Sequence, residues 1–270
     1  MKYIFAVDLD GTLLNDKAQL NEYTVNYIKN LDKEKYKFVI TTGRPYLGMI
    51  DFYKQLELDT YVICNSGTSV ILPNSDFKPI NHNIDKSLFL AFYNKCLNFL
   101  ESAIFTDKTD CYIYNEQYNN EFFKHIQKGA NVIAGDYNDT IVDGPSGGLF
   151  ILKKEYENEF MEIAKEFSNS IGVRCWGNFY GCDYYEYYQM GFNKSTSLYD
   201  LLNLYDATVD QLVCFGDSIN DSEMLNMTPY GICMSNGKEE LKKIANYITE
   251  YDNNNDGVVK FIDEFIKANK

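Results

Sequence analysis

The chain opens with a short apolar run that ends at a cluster of polar residues, and similar runs follow it. The run Tyr3–Val7 contains five apolar residues and ends at Asp8, and further runs cover residues 36–41 and 61–64. Continuous apolar runs of this length are typical of strands that are buried on both faces. Between the first two runs, apolar residues recur on one helical face from about Glu22 to Lys33. Because strands alternate with helices here, the pattern predicts a right-handed βαβ series and a parallel sheet.

Several predicted helices begin at residues that favour a helix start. Asn21 is expected to cap the first helix, and Asn193 is expected to cap a helix from Lys194 to about Leu204. Pro45 suits the first turn of a helix that follows the second strand. Further strands are predicted at residues 211–215, 230–234 and 247–249, and further helices begin at residue 222 and cover residues 258–268.

The pattern changes between about residues 81 and 187. Helices are predicted over residues 87–100 and 155–167, and strands at residues 103–105, 111–114, 148–152, 173–176 and 184–188. Helices beside a largely antiparallel sheet suggest a separate α+β domain. We therefore predict a core domain of residues 1–80 and 188–270, interrupted by an inserted domain of residues 81–187. Its tyrosine-rich segment near residues 180–188 is predicted to pack within the sheet.

The composition is that of an ordinary globular protein with an acidic excess. The formal net charge of −14 argues against a partner with a phosphate backbone, so any phosphate group of a ligand must be held locally. The chain contains seven cysteines, none in a Cys-x-x-Cys pair, and only two histidines, so no zinc-site spacing occurs. An odd set of unpaired cysteines points to a reducing compartment. The first apolar run is too short for a signal peptide, and no run reaches membrane-spanning length. We expect a cytoplasmic protein that binds neither nucleic acid nor membrane, with no obligate protein partner evident.

Two carboxylates, Asp8 and Asp10, follow the first predicted strand directly. In an open parallel sheet, ligands bind in the crevice outside the carboxyl ends of the strands. A carboxylate pair there can bind a divalent cation and leave one oxygen for chemistry. Gly11 allows the backbone conformation that a tight loop needs. Asp8 is therefore a candidate nucleophile, and Asp10 is a candidate acid that protonates a leaving oxygen and then activates water.

A second polar cluster follows a later apolar strand. Asp217, Asn220 and Asp221 crowd its end, which is costly for buried carboxylates unless a cation balances their charge. All of the available ligands are oxygen atoms, and a substrate can complete an octahedron, so Mg²⁺ is the expected cation and Asp217 is expected to ligate it directly. Thr42 and Gly43, which end the second strand and open a helix, offer a hydroxyl and amides to an anion.

Four motifs occur in the order that is characteristic of one enzyme superfamily. They are Asp-Leu-Asp-Gly-Thr at residues 8–12, Ile-Thr-Thr-Gly-Arg at residues 40–44, Lys194, and Gly-Asp-Ser-Ile-Asn-Asp at residues 216–221. In these motifs the chain resembles the haloacid dehalogenase (HAD) superfamily, and its spacing and last motif most resemble the Cof-type sugar-phosphate phosphatases. The resemblance covers essentially the whole chain, although the middle third matches only in pattern. It implies an α/β protein with a Rossmann-like HAD core, a parallel sheet and an inserted α+β cap domain of the C2 type.

The resemblance also implies roles for the motif residues. Asp10 would ligate Mg²⁺ through its backbone carbonyl, Asp221 would orient Lys194 or a metal-bound water, and Asn220 would touch the substrate. The predicted catalytic residues are Asp8, Asp10, Thr42 and Lys194; the substrate-binding residues are Thr42, Gly43, Lys194 and Asn220; and the metal-binding residues are Asp8, Asp10, Asp217 and Asp221. Two loops depart from the usual family pattern, since Asn65-Ser66-Gly67 stands for Asn-Gly-Ala and Met234-Ser235-Asn236-Gly237 contains no Gly-Asn-Ala.

The expected function is a Mg²⁺-dependent phosphatase that hydrolyses small phosphorylated metabolites, such as sugar phosphates, through an aspartyl-phosphate intermediate. One alternative is a phosphomutase resembling the eukaryotic phosphomannomutases. A mutase would need extra cations in the cap, where Arg174 is the only arginine. The other alternative is a non-catalytic sugar-phosphate sensor on an enzyme fold, which the loss of a catalytic group would favour; none is lost in the four motifs.

Overall fold

The computed structural model describes residues 1–107, 109–116, 127 and 129–269. By internal packing the chain forms two compact units. The first contains Met1–Gly43, Met49–Ile80 and Asn193–Lys270, and the second contains Arg44–Gly48 and Asn81–Phe192. The domain limits at residues 81 and 187 stay a prediction, since compactness alone does not define an independently folding domain.

Strands and helices alternate along most of the chain. In order, the described helices are α1 (Glu22–Lys29), α2 (Tyr46–Gln55), α3 (Lys86–Cys96), α4 (Tyr137–Thr140), α5 (Glu157–Phe167), α6 (Lys194–Leu204), α7 (Ser222–Asn226), α8 (Glu239–Lys242) and α9 (Gly257–Ala268). The described strands are β1 (Tyr3–Val7), β2 (Tyr36–Ile40), β3 (Val62–Cys64), β4 (Ser69–Ile71), β5 (Ile80–Asn81), β6 (Leu100–Asp107), β7 (Asp110–Tyr114), β8 (Asn131–Ala134), β9 (Gly147–Lys153), β10 (Ile171–Phe179), β11 (Cys182–Gln189), β12 (Leu212–Gly216), β13 (Tyr230–Cys233) and β14 (Tyr247–Ile248).

The first unit is built on a parallel sheet with the strand order β14-β13-β12-β1-β2. A parallel bridge between Thr41 and Ile63 places β3 beside the end of β2. β3 also pairs antiparallel with β4, in a small sheet that β5 completes. Ile4 to Val7 are 0% exposed, which confirms that the first apolar run is a strand buried on both faces.

α1 is shorter than the sequence pattern predicts. It ends at Lys29: the Leu31 amide already donates to the carbonyl of Ile28, three residues back, and a turn closed by the Lys35 amide and the carbonyl of Asp32 then leads into β2. The predicted side-chain cap at Asn21 is also wrong. Asn21 occupies the N-cap position, but its Oδ1 accepts a hydrogen bond from Asn15 Nδ2 at 2.8 Å and makes no bond to the helix amides.

The second unit contains a sheet with the strand order β10-β11-β9-β6-β7-β8, antiparallel apart from the pair β7–β8. The prediction that its first helix continues to Leu100 is wrong. α3 ends at Cys96, because Leu100 already pairs with Leu152 as the first residue of β6. The apolar sides of α3 and α5 pack with this sheet in one aromatic-rich cluster, in which the rings of Phe92 and Phe150 lie 5.4 Å apart.

Tyrosines of β11 lie in the interior of the second unit. Tyr184, Tyr185 and Tyr187 are at most 3% exposed, which confirms for these three residues the prediction that the segment packs within the sheet; for Tyr180 the prediction is wrong. Tyr180, in the turn before β11, is 69% exposed. None of the described helices has the length and apolar character that crossing a membrane requires.

Candidate active site

The candidate site lies at the carboxyl edge of the parallel sheet of the first unit. β1 pairs with β12 on one side and with β2 on the other, so the ends of the three strands are neighbours. Asp8 follows β1, Asp217 follows β12, and Thr42 follows β2 within two residues. The Asp8 amide donates to the carbonyl of Phe215 in β12 at 3.1 Å, which fixes the start of the first loop against the neighbouring strand.

The loop after β1 packs directly on Asp217. Thr12 Oγ1 donates a hydrogen bond to Asp217 Oδ1 at 3.2 Å. Gly11 has a φ of +74°, and a Cβ at this position would lie 2.5 Å from Asp217 Oδ2. Both the left-handed backbone and the close approach of the carboxylate therefore require glycine here. The predicted tight loop after β1 and the polar cluster after β12 are therefore in contact in the structure.

Lys194 bridges two of the carboxylates. Its Nζ lies 2.6 Å from Asp8 Oδ1 and 2.5 Å from Asp221 Oδ1, and its side chain is 1% exposed. The backbone holds it there because Asn193 caps α6, as predicted, by accepting hydrogen bonds from the amides of Ser195 and Thr196. Burial lowers the pKa of the Lys194 amine, but the carboxylates of Asp221 and Asp8 outweigh that effect and raise the pKa overall. Lys194 therefore stays charged.

Asp221 is fixed by hydrogen bonds at both of its oxygens. Oδ1 faces Lys194, and Oδ2 accepts from the backbone amides of Asp217 and Ser218 at 3.1 Å each. Its side chain is fully buried. Such a carboxylate can orient the lysine and the loop after β12.

Three carboxylates converge around this single lysine. Asp8, Asp217 and Asp221 each offer an oxygen atom, and these atoms all lie within 4.8 Å of one another. Burial raises the pKa of Asp8 to about 7, Lys194 opposes the shift, and the charges of Asp221 and Asp217 add to it. Burial, followed by the charge of Asp221, raises the pKa of Asp217 to about 6. A buried, all-oxygen donor set with more carboxylates than ammonium groups fits a hard divalent cation such as Mg²⁺.

The other predicted residues lie around this group. Asp10 is exposed in the loop after β1, and its side chain is not among the three clustered carboxylates. Asn220 is half-buried in the 3₁₀ turn Ile219–Asp221. Thr42 is fully buried and donates its amide to the carbonyl of Ile63 at 2.9 Å. The expectation that Thr42 and Gly43 open a helix is wrong, since α2 begins only at Tyr46.

Two asparagines support the first loop in a way that the sequence analysis missed. Asn236 Nδ2 donates to the carbonyl of Gly11 at 2.7 Å, and Asn236 Oδ1 accepts from the Asn253 amide at 3.1 Å. The buried Asn253 side chain donates to the carbonyl of Leu14 at 3.0 Å. In the sequence, the asparagine-rich segment around Asn253 has the composition of a plain turn, and only the fold shows that its side-chain amide holds a loop carbonyl.

Known proteins share the fold of this chain and resemble its sequence over almost its whole length. A family model described as haloacid dehalogenase-like hydrolase matches residues 5–262. The chain belongs to this family. The predicted HAD superfamily and Cof type are therefore confirmed, as is the α/β fold class of this HAD hydrolase.

Relatives of the HAD hydrolase include named phosphatases. The 5-amino-6-(5-phospho-D-ribitylamino)uracil phosphatase YitU of Bacillus subtilis is 29% identical over 97% of this chain and 97% of its own. The pyridoxal phosphate phosphatase YbhA of Escherichia coli is 23% identical over 96% of this chain and 97% of its own. A haloacid dehalogenase-like hydrolase of Bacteroides thetaiotaomicron has the same fold, with a TM-score of 0.83 and 22% identity over 98% of this chain and 100% of that one. The names of these relatives support the prediction of a phosphoric monoester hydrolase.

Proposed function

We propose that this HAD hydrolase is a Mg²⁺-dependent phosphatase that hydrolyses small phosphorylated metabolites, with sugar phosphates and related phosphorylated polyols as the substrate class. The observation that carries the proposal is the buried Asp8 carboxylate at the end of β1, engaged by Lys194 at 2.6 Å and flanked by two further carboxylates. The name of YitU, a phosphatase of a phosphoribitylamino compound, supports a phosphorylated polyol, and the name of YbhA, a pyridoxal phosphate phosphatase, supports only the broader class of small phosphorylated metabolites.

Asp8 is the proposed nucleophile. Lys194 engages its Oδ1, which leaves Oδ2 to attack the phosphorus atom. As the new bond between Asp8 and phosphorus forms, the bond between phosphorus and the ester oxygen breaks. Asp10, exposed in the same loop, gives its proton to the leaving alkoxide. Asp10 then takes a proton from water, whose oxygen attacks the aspartyl-phosphate and releases inorganic phosphate and the Asp8 carboxylate.

The remaining residues are proposed to bind and orient. Asp8, the backbone carbonyl of Asp10 and Asp217 would hold Mg²⁺, which would supply positive charge to the phosphoryl oxygens. Asp221, with both oxygens engaged by Lys194 and backbone amides, is proposed to position the lysine. Thr42, Gly43 and Asn220 are proposed to contact the substrate.

A phosphomutase is not favoured by the second unit. Within the predicted cap, residues 81–187, Arg174 is the only arginine that could supply positive charge for a bisphosphate. The guanidinium lies 3.7 Å from Glu186 and 5.5 Å from the centre of the Tyr188 ring, so its charge is already partly compensated. A non-catalytic sensor is not favoured either, because each predicted catalytic residue is present. The cytoplasmic location and the absence of nucleic-acid, membrane and obligate protein partners stay predictions.

Replacement of Asp8 tests the proposed function. The Asp8→Asn variant keeps the shape of the side chain but cannot attack phosphorus, so its turnover of an aryl phosphate should fall to background with Mg²⁺ present. The matched control is Asp210→Asn, which changes an exposed carboxylate outside the site. Normal turnover by well-folded Asp8→Asn would refute the nucleophile, and a full rate of the parent in excess chelator would refute the metal requirement.

A further inference from the structure

The loop after β3 contains an unusual run of left-handed residues. Asn65, Ser66 and Gly67 have φ values of 50°, 55° and 97°. Glycine adopts this conformation at little cost and asparagine tolerates it, but serine adopts it rarely because its Cβ crowds the backbone. Ser66 is therefore a locally strained residue, and strain of this kind is concentrated at functional sites.

This loop lies between two predicted phosphate-binding elements of the first unit. On one side the Ser66 amide donates to the carbonyl of Thr42 at 3.1 Å. On the other side Gly67 touches the start of α6, since a Cβ on Gly67 would lie 2.1 Å from the carbonyl oxygen of Asn193 and 2.4 Å from the amide nitrogen of Lys194. The loop is thus held from both sides, which explains how the strained conformation of Ser66 can persist.

The side chain of Ser66 points toward Gly43. A Cβ built on Gly43 would lie 3.3 Å from Ser66 Oγ, so the hydroxyl sits beside the Gly43 backbone. A side chain at position 43 would crowd the serine hydroxyl and require it to shift by a few tenths of an ångström. The Ser66 hydroxyl therefore lies beside Gly43, in a loop that also contacts the backbone of Lys194, and both of these residues are proposed to bind the substrate.

We propose that Ser66 is a further substrate-binding residue, whose hydroxyl donates a hydrogen bond to a phosphoryl oxygen of the substrate. This inference rests on the proposed phosphatase function. The left-handed backbone aims the side chain at the phosphate, and the contacts with Thr42 and α6 compensate for the strain. Because the bond is to a charged oxygen, loss of the hydroxyl should lower kcat/KM roughly 10- to 100-fold.

The test compares two replacements of Ser66 with two matched replacements elsewhere. Ser66→Ala and Ser66→Gly both delete the hydroxyl, but only glycine relieves the strain. Asp206 is an exposed left-handed residue with a φ of 49° after α6, so Asp206→Ala and Asp206→Gly reproduce the backbone effect away from the loop. Both Ser66 variants should lose kcat/KM on an aryl phosphate and show weaker inhibition by inorganic phosphate, with Ser66→Gly melting above Ser66→Ala. The Asp206 pair should show the same order of melting temperatures with parental kcat/KM.

Two results would overturn the proposal. One is parental kcat/KM and phosphate inhibition in Ser66→Ala. The other is a loss of activity with a lower melting temperature but unchanged phosphate inhibition, which would show that the hydroxyl only supports the loop. A parent without phosphatase activity would refute the proposed function instead. Calorimetric titration with inorganic phosphate would then decide this inference, since Ser66→Ala should bind more weakly than the parent and equal affinities would refute it.

Discussion

Replacement of Asp217 by asparagine should stabilise the metal-free enzyme, although it removes a proposed metal ligand. Burial and the neighbouring Asp221 raise the pKa of Asp217 from 3.8 to about 6. A carboxyl group with a raised pKa binds its proton more tightly in the folded state, so its charged form costs free energy on folding. The cost is fully present above the folded pKa and disappears as the pH falls toward the unfolded value. A shift of about two units corresponds to at most about 3 kcal/mol at neutral pH.

The measurement is urea denaturation of the parent and Asp217→Asn in excess chelator. At about pH 7.5 the variant should have the higher free energy of unfolding, by up to about 3 kcal/mol, and at about pH 4.5 the gain should fall to about 1 kcal/mol. Asp210→Asn, at an exposed position, is the matched control and should stay within about 0.5 kcal/mol of the parent. Added Mg²⁺ should then stabilise the parent, because it binds the folded state, and should have little effect on Asp217→Asn.

Three outcomes would each contradict a different part of this prediction. If Asp217→Asn were less stable than the parent in chelator at neutral pH, the extra strength of the hydrogen bond from Thr12 to a charged carboxylate would outweigh the electrostatic cost. If its gain in stability persisted unchanged in acid, the gain would not arise from the charge of Asp217. If Mg²⁺ stabilised the variant as much as the parent, Asp217 would not be a metal ligand.

Two further predictions concern residues outside the four motifs. Asn236→Ala removes the hydrogen bond to the carbonyl of Gly11 and should raise the Mg²⁺ concentration needed for half-maximal activity. The control Asn246→Ala removes a hydrogen bond to the Gly231 amide and should leave that concentration unchanged. An equal Mg²⁺ dependence of the two variants would show that Asn236 does not support the first loop. Tyr187→Phe removes a buried hydroxyl that has no hydrogen-bond partner among the described residues. The free energy of unfolding should therefore be unchanged or higher by about 1 kcal/mol. A clearly lower free energy of unfolding in urea would refute this prediction.

The strands and their carboxyl-end loops could be predicted because their signals are local. The apolar residues of β1 are consecutive, and Asp8 follows them directly, so one short segment specifies both the strand and the position of the carboxylate. The same holds for β12 and Asp217. The order of parallel strands then brings the two loops together without any knowledge of side-chain packing.

Features that depend on distant residues could not be predicted in this way. The side chain of Asn21 is taken by Asn15 and by the carbonyl of Asn254, which is 233 residues away, so a good capping residue does not cap. α3 ends early because Leu100 finds a partner in Leu152 of another strand. In both cases a tertiary contact overrides a local preference, and the sequence around Asn21 or around the end of α3 contains no pattern that predicts the contact.

Lys194 shows most clearly why the sequence alone underdetermines the site. A lysine at the start of a helix is ordinarily solvated, and its neighbours in sequence carry no sign of burial. Its two partners lie 186 and 27 residues away, and only the fold brings them within 2.6 Å. With all three clustered carboxylates ionised, the group would carry two more negative charges than the single ammonium balances, and the raised pKa values of Asp8 and Asp217 reflect the cost of that charge. A buried excess of that size is unfavourable in the chain alone, and a divalent cation is the simplest ligand that would neutralise it. The fold therefore brings separate motif residues together into a group whose combined negative charge supports the proposed metal.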